Sequence, residues 1–385
     1  MIEWAIPAAI IAAGLIPKRK MTDEKKLEVI FKNRKVGIAK GDNMSYPKLV
    51  RKYKNEEYTT YLYNLPLGIP SEAFDSFKPV IKDGLNKDVE IEFDGLLKIN
   101  VYEHSLPEKW NYDDTLLKPG TWLTPIGKNH TGLLYHDFEK YPHMLCGGVT
   151  RFGKTVFIKN VFHSVLMNQP ANAEFYFLDL KGGLEFGKYA RLPQVKAVAS
   201  DVFEAAEVLD KIVTDLKARE KEFRKKGYTN IVDTPIQKRT FVIVDEGAEL
   251  SPNIIEGEGK KFAKYCQAAL SEISRIGGGL GLRLLYCTQY PTREAVPMQV
   301  KMNIVTRISF IAAAQIASRV ILDEIGAEDL PSIPGRAIYK VEKNRVIQVP
   351  YIDDKYMIEQ LEEHEDEITG KARKPVNDDR HIGDV

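Results

Sequence analysis

The stretch Cys146–Phe157, CGGVTRFGKTVF, contains the pattern that decides the fold. Its spacing Gly148-x-x-x-x-Gly153-Lys154-Thr155 is that of a phosphate-binding loop. The loop follows HMLCGGV, which has the pattern of a buried strand, and leads into KTVFIKNVFHSVLM, which has helical spacing. This order places backbone amides and a helix N-terminus around the phosphates. The stretch therefore predicts a nucleotide site.

Each residue type in the loop has its own expected role. Lys154 would reach the β- and γ-phosphates of ATP, and Thr155 would hold Mg²⁺. Arg151 and Phe152 stand where small residues are common, but they keep the amides that phosphates require. The predicted nucleotide-binding residues are Gly148, Val149, Thr150, Arg151, Phe152, Gly153, Lys154, Thr155 and Val156.

A second candidate group follows an apolar strand pattern further along the chain. In TFVIVDEGAEL, apolar residues run into Asp245 and Glu246. We expect Asp245 to hold Mg²⁺ through water and Glu246 to polarise the attacking water; an acid pair that caps a helix is the alternative. Gln289, at the end of another strand pattern, is a candidate sensor of the γ-phosphate, with a plain loop amide as the alternative.

From Thr121 onward, strand and helix patterns alternate. Continuous apolar strands separated by helices predict an α/β fold with a mainly parallel sheet covered on both faces. Glycines 277, 278, 279 and 281 lie between a helix and a strand. They therefore predict a helix end and a tight turn rather than a dinucleotide-binding loop.

Bulk composition sets limits on the whole chain. A length of 385 residues suggests about two domains, and 44% apolar with 28% charged residues is typical of a globular protein. A net charge of +1 gives no overall attraction to nucleic acid, so any such contact must be local. The cysteines lack metal-binding spacing and are expected to be buried free thiols: Cys146, Cys266 and Cys287.

The N-terminus begins with an uncharged apolar run, WAIPAAIIAAGLI, followed by PKRK. It is shorter than the roughly 20 residues that span a membrane. A short or partial transmembrane anchor, an interfacial segment and a signal peptide remain as alternatives. An anchor would place the following chain at the cytoplasmic face of the membrane, because positive charge follows the apolar run. If the segment does not insert, the protein would be a soluble cytoplasmic one.

Composition along the chain predicts five regions. They are an apolar membrane-associated segment at 1–17, a basic juxtamembrane segment at 18–57, a small α/β module at 58–105, an ATPase domain at 121–352, and a charged helix and tail at 353–385. Residues 106–120 have the composition of a linker. Within the module, DVEIEFDGLLKINVYE predicts a hairpin across Asp94-Gly95.

Several blocks in the ATPase region resemble the motor domain of the FtsK/SpoIIIE DNA translocases. PIGKNHTGLLYHDFEKYPHMLCGGVTRFGKT is similar to the entry to that motor, FLDLKGG to its D-x-K strand end, and VIVDEGAEL to its Walker B strand. YCTQYP is similar to its A-T-Q-R-P segment, with Tyr290 where arginine is usual. NIVTRISF and SRVILDEIGAEDL are similar to two later blocks. The resemblance runs from Pro125 to Tyr339.

This resemblance implies a RecA-like P-loop ATPase working as a ring, of six subunits in the family, that moves double-stranded DNA without reading its sequence. In such rings an arginine of one subunit completes the neighbour's site. Arg307 and Arg319 stand at matching positions, and Arg275 is a third candidate. A salt-bridged structural role is the alternative for each.

The chain departs from the large chromosome translocases, because residues 353–385 are too few for a DNA-reading winged-helix domain. A short anchor, a small module and a bare motor resemble instead the coupling-protein ATPases of conjugative elements in Gram-positive bacteria. That resemblance implies a relaxase–DNA complex and a membrane channel as partners. Two other functions remain open: an ATP-binding recruitment platform for a secretion channel, and a soluble plasmid or phage replication or packaging ATPase.

Overall fold

The computed structural model describes residues 21–369 except 42, 71–72, 75–76, 290 and 293. The expected apolar segment 1–17 and the tail after Thr369 lie outside the described residues. The chain divides into two compact units, with the boundary between Ser105 and Leu106. Of the helices in the described part, none is long and apolar enough to cross a membrane.

The first unit is a small α/β module. Its elements are α1 Asp23–Asn33, β1 Ile38–Lys40, β2 Asn43–Ser45, β3 Lys48–Lys54, β4 Tyr58–Asn64, α2 Lys78–Leu85, β5 Val89–Asp94 and β6 Leu96–Tyr102. Four strands form an antiparallel sheet in the order β3-β4-β6-β5, and β1 pairs with β2 alone. Apolar side chains of both helices and of the sheet form one core, among them Phe31, Tyr63, Ile81 and Ile99.

The hairpin expected across Asp94-Gly95 is confirmed, since Asp94 pairs with Leu96 and Gly95 has a φ of +67°. The boundary expected between residues 57 and 58 falls inside this unit. Strand β3, from the basic segment, pairs with β4 along its length and so belongs to the same sheet. Its alternation was hidden in the sequence because most of its side chains are exposed and charged.

The second unit contains a ten-stranded sheet. Its strands are β7 Leu123–Asn129, β8 Gly132–Asp137, β9 Met144–Gly147, β10 Ala173–Asp179, β11 Val195–Ala199, β12 Arg239–Asp245, β13 Leu282–Thr288, β14 Thr306–Phe310, β15 Arg336–Lys340 and β16 Asn344–Gln348. The helices are α3 Lys154–Asn168, α4 Val202–Lys226, α5 Gly259–Glu272, α6 Met298–Asn303, α7 Gln315–Leu322, α8 Asp354–Glu363 and α9 Glu365–Thr369.

The strand order is β11-β10-β12-β13-β9-β14-β15-β16-β7-β8. The first six strands are parallel and the last four join antiparallel. Buried side chains alternate between two cores: Phe241 and Ile243 of β12 pack with α3 and α8, whereas Val242 and Val244 pack with α4, α5 and α7. The predicted α/β fold with a mainly parallel sheet covered on both faces is confirmed.

Residues 106–120 are not a linker, and that expectation was wrong. Tyr112 and Leu116 are buried in the core of the second unit. The Tyr112 amide donates to the Tyr351 carbonyl at 2.8 Å, and the Tyr351 amide donates to the Trp110 carbonyl at 2.7 Å. The apolar residues of this segment follow neither a helical nor a strand period, so their burial left no pattern in the sequence.

Three other expectations are confirmed. The glycine cluster ends a helix, as a π-helical turn Ile273–Gly277 and a 3₁₀ turn Gly278–Leu280, and Gly281 has a φ of +91°. The three cysteines are buried free thiols. The charged segment after Ile352 begins with the expected helix, α8, whose Met357 and Leu361 pack into the core.

Candidate nucleotide-binding site

The loop between β9 and α3 is fixed by close backbone packing. Gly148 has a φ of +142°, and a Cβ there would lie 2.6 Å from the Cβ of Phe310. Only glycine fits such a position without displacement. The Val149 amide donates to the Ile311 carbonyl at 3.0 Å, and the Gly335 amide donates to the Phe152 carbonyl at 2.9 Å. The loop is therefore held from both sides.

Helix α3 presents an open N-terminus to this loop. Its N-cap, Gly153, makes no side-chain capping hydrogen bond, and the first turn contains no acidic residue. The first amides of a helix have no partner within the helix. Together with Lys154, they form a positive end that suits phosphate oxygens. The loop therefore fits the phosphates of a nucleotide.

Lys154 and Asp245 form a buried ion pair across the site. Their side chains are 3% and 2% exposed. Burial opposes the charge on Lys154, but the charge and hydrogen bond of Asp245, with the charge of Glu246, outweigh it, and the pKa of Lys154 is raised. The strand order of the sheet explains why Lys154 and Asp245 are in contact. β9 and β12 are separated by β13 alone, and both strands end at the same edge.

Glu246 is held in a restrained conformation. Its backbone has a φ of +74°, which is uncommon for a residue with a side chain. Its carboxylate, 1% exposed, accepts the Thr288 hydroxyl at 2.7 Å and the Gln289 amide at 3.0 Å. Lys181 lies 3.3 Å away. Strain of this kind collects at functional sites, where surrounding contacts fix it.

Gln289 stands between the phosphate loop and Glu246. It follows β13, the strand between β9 and β12, and lines the same cavity as Lys154 and Thr155. Its backbone amide binds Glu246. The γ-phosphate sensor role of its side chain stays a prediction.

The donors for a magnesium ion are compatible with its chemistry. Mg²⁺ bound with a nucleotide uses one or two protein oxygen ligands besides the phosphates. The Thr155 hydroxyl and the Asp245 carboxylate are such donors. Lys154 brings the two near each other, because it precedes Thr155 in the chain and forms an ion pair with Asp245. We therefore retain Thr155 and Asp245 as the residues that would hold the ion.

Lys181 and Asp179 were recognised in the sequence only as a family motif, with no role attached. The structure places Asp179 beside Asp245 in neighbouring strands. Its carboxylate accepts the amides of Glu185 at 2.9 Å and Phe186 at 3.0 Å, which shapes the turn carrying Lys181 towards Glu246. Lys181 thus lies within ion-pair distance of Glu246 at the end of a turn that Asp179 holds.

The three candidate arginines differ in their surroundings. Arg307 is 11% exposed, pairs with Asp323, and donates to the carbonyls of Ile321 and Lys301. These contacts favour the structural alternative for Arg307. Arg275 and Arg319 are exposed, and neither side chain forms an ion pair with a described residue. Arg275 lies in the π-helical turn.

A cavity of about 570 Å³ adjoins the phosphate loop. Sequence reasoning found one side of it and missed the other, which comprises Glu108, Lys109, Trp110, Ser332, Ile333, Pro334, Gly335, Gln348, Val349, Pro350 and Tyr351. These residues come from the supposed linker, from the loop before β15 and from the end of β16 with the residues after it, where no nucleotide-binding pattern marks them.

The parallel sheet, the loop at the end of β9 and the acidic pair at the end of β12 define a P-loop ATPase. Residues 120–246 match the model of the FtsK/SpoIIIE family, which confirms the resemblance over this segment. DNA translocase FtsK of Tropheryma whipplei (strain TW08/27) is 24% identical over 277 residues, which is 67% of this chain and 37% of that protein. DNA translocase SpoIIIE of Bacillus subtilis (strain 168) is 27% identical over 245 residues, 59% of this chain and 30% of that protein.

Among solved structures, the monomer form of the pCW3 conjugation coupling protein TcpA with ATPγS matches with a TM-score of 0.64. It is 23% identical, and the match covers 89% of this chain and 99% of that one. This likeness shows a shared fold. The chain spans about a third of the length of the curated relatives that it matches.

Proposed function

We propose that this protein is an ATP-driven motor that moves DNA, of the FtsK/SpoIIIE type. The observation that carries the proposal is the meeting of Lys154, Asp245 and Glu246 at one edge of the sheet, within the segment that matches this family. The curated relatives that match it are DNA translocases. Both lines of support lead to hydrolysis of ATP coupled to movement along DNA, which we propose to be double-stranded.

In the proposed reaction each residue has one task. Lys154 binds the β- and γ-phosphates. Thr155 and Asp245 would hold Mg²⁺, which would supply positive charge against the phosphates. Glu246 accepts a proton from the attacking water. Thr288 and the Gln289 amide orient the Glu246 carboxylate, and Lys181 lies within ion-pair distance of it. When nucleotide binds, Lys154 exchanges its contact with Asp245 for phosphate oxygens.

A ring of six subunits is the proposed working form, with one arginine completing the neighbour's site. Arg275 and Arg319 are the preferred fingers, because their side chains are exposed. Arg307 is bound by its own chain and is the weaker candidate.

The finer proposal is a coupling protein of a conjugative element. The solved structure of a conjugation coupling protein supports it through a likeness that extends over nearly all of both chains. In this function the motor would sit at the cytoplasmic face of the membrane through the segment 1–17. It would feed DNA, or a relaxase–DNA complex, to a transfer channel.

ATP turnover of the full chain with and without duplex DNA tests the proposal. We expect stimulation severalfold by duplex DNA, and no turnover in Lys154→Ala. A wild-type protein that binds ATP but turns it over at the same rate with and without DNA would be a recruitment platform, and the motor proposal would fall. Single-stranded DNA in a parallel arm identifies the preferred strand form.

Two further measurements address the ring and the membrane. Turnover per subunit should rise with protein concentration, and mixing Lys154→Ala with the true finger variant, Arg275→Ala or Arg319→Ala, should restore partial activity. Activity that is independent of concentration would contradict a site completed by a neighbour. Deleting residues 1–16 should release the protein from membranes; unchanged fractionation would contradict the anchor.

A further inference from the structure

The cavity beside the phosphate loop extends well past the residues that phosphates require. It reaches from Lys154 and Thr155 at one end to Trp110 and Tyr351 at the other. Its volume of about 570 Å³ lies within the range of small-molecule sites. A triphosphate alone would occupy only the end at the loop, so the far end has room for another part of a ligand.

The far end is an apolar slot, defined here by Trp110, Ile333, Pro334 and Tyr351. Trp110 and Tyr351 are tied to each other through the backbone, at 2.7 Å between the Tyr351 amide and the Trp110 carbonyl. The ammonium of Lys128 lies 4.3 Å from the centre of the Trp110 ring, which fixes that ring further. The Trp110 ring is thus a held wall of the slot, and the half-exposed Tyr351 lines it as well.

The slot is anchored to the phosphate loop itself. The Gly335 amide, next to Pro334, donates to the Phe152 carbonyl at 2.9 Å. The Gly335 carbonyl accepts the Val349 amide at 2.9 Å, two residues before Tyr351. These bonds fix the distance between the slot and the loop, as recognition of two ends of one ligand requires.

The buried polar group at the slot is already satisfied by the protein. Gln348 accepts from the Arg336 guanidinium at 3.0 Å and donates to the Pro334 carbonyl at 2.8 Å. A site that discriminates strongly between ligands has buried polar groups that are free to hydrogen-bond the preferred ligand. The other polar side chains at this end, Glu108, Lys109 and Ser332, are exposed to solvent, so the buried contact available to a ligand is mainly flat apolar surface.

We propose that this slot binds the base of the nucleotide by stacking on Trp110 and Tyr351, with weak selection among purines. The proposal rests on the proposed function, because it takes the loop as a triphosphate site. A purine is the flat, largely aromatic group that follows the phosphates and ribose in such ligands. Aromatic stacking of bases is effective and tolerates different bases.

The test compares a nucleotide with its phosphate part alone, on the full chain with Mg²⁺. Binding of ATPγS and of inorganic tripolyphosphate is measured by calorimetry for wild type, Trp110→Ala, Trp110→Phe and Tyr351→Ala. We expect Trp110→Ala to weaken ATPγS binding about tenfold, within the usual range for one stacked base. Tripolyphosphate binding should stay unchanged, and Trp110→Phe should remain close to wild type.

Tyr351→Ala serves as the second variant, since the Tyr351 side chain is 47% exposed and its backbone bonds do not depend on the ring. This variant should also weaken the binding of ATPγS and leave the binding of tripolyphosphate unchanged. GTPγS should bind the wild type within about tenfold of ATPγS.

Equal weakening of ATPγS and tripolyphosphate, or no weakening in either alanine variant, would overturn the proposal. A preference between the two purine nucleotides larger than tenfold would overturn the stacking account as well. A wild-type protein that binds neither ligand would instead reject the nucleotide site itself, so the two failures are distinguishable.

Discussion

Replacing Lys154 should weaken the fold as well as stop turnover, because the structure gives this lysine a buried partner. Lys154→Met keeps the length of the side chain and removes its charge. Asp245 is then left 2% exposed with no ammonium beside it. Breaking a buried ion pair by removing one partner costs roughly 3–5 kcal/mol.

The neighbouring cavity decides where in this range the loss in the free energy of unfolding should fall. It opens directly at Lys154, so water can approach the carboxylate, and we expect the lower end, about 3 kcal/mol. With a urea slope of about 3 kcal/mol per molar, the unfolding midpoint should fall by about 1 M. Adding Asp245→Asn to Lys154→Met should recover most of this loss, because the uncompensated charge is gone. Turnover should stay abolished in both variants.

Urea unfolding followed by the fluorescence of Trp110 and Trp122, in a Trp4→Phe background, reports on the second unit. Lys226→Met is the matched control. It breaks an exposed pair with Glu222 and should leave the midpoint unchanged. An unchanged midpoint in Lys154→Met, or a double variant no more stable than the single one, would refute the buried-pair reasoning.

Three other outcomes are expected. Glu246→Gln should bind ATP but turn it over at least about a hundredfold more slowly, while Asp245→Asn should weaken Mg²⁺-dependent binding; identical phenotypes in binding and phosphate-release assays would contradict the separate roles. Burial lowers the pKa of His136, His143 and His163 to about 3. The unfolded chain therefore takes up protons first, and stability should fall as pH drops from about 6.5 towards 3, by up to about 1.4 kcal/mol per pH unit for each histidine. His163→Leu should reduce that slope by about a third in urea titrations across pH; an unchanged slope would show that His163 is not the source.

Much of the nucleotide site was predictable because its chemistry fixes local sequence. The loop from Gly148 to Thr155 requires glycines and a lysine at set spacing, and the strand before Asp245 is buried on both faces. Continuous apolar runs therefore marked the parallel strands. The carboxyl ends of parallel strands share one edge of the sheet, which is why the loop after β9 and the acidic pair at the end of β12 lie close together.

The other features of the site depend on contacts between residues far apart in the chain, and these contacts leave no local pattern in the sequence. Trp110 and Tyr351 lie more than two hundred residues apart and meet through backbone hydrogen bonds, which any residue type can form. Thr288 is an ordinary strand residue until Glu246 is placed beside it. Arg307 had the motif of a finger, and only the structure showed Asp323 and two carbonyls around it.

Displacement of a triplex-forming oligonucleotide from duplex DNA tests the central claim most directly, because it requires movement along the duplex. We expect the full chain to displace the third strand with ATP, and to fail with ATPγS or with Glu246→Gln. Turnover stimulated by DNA without any displacement would contradict a DNA-moving motor.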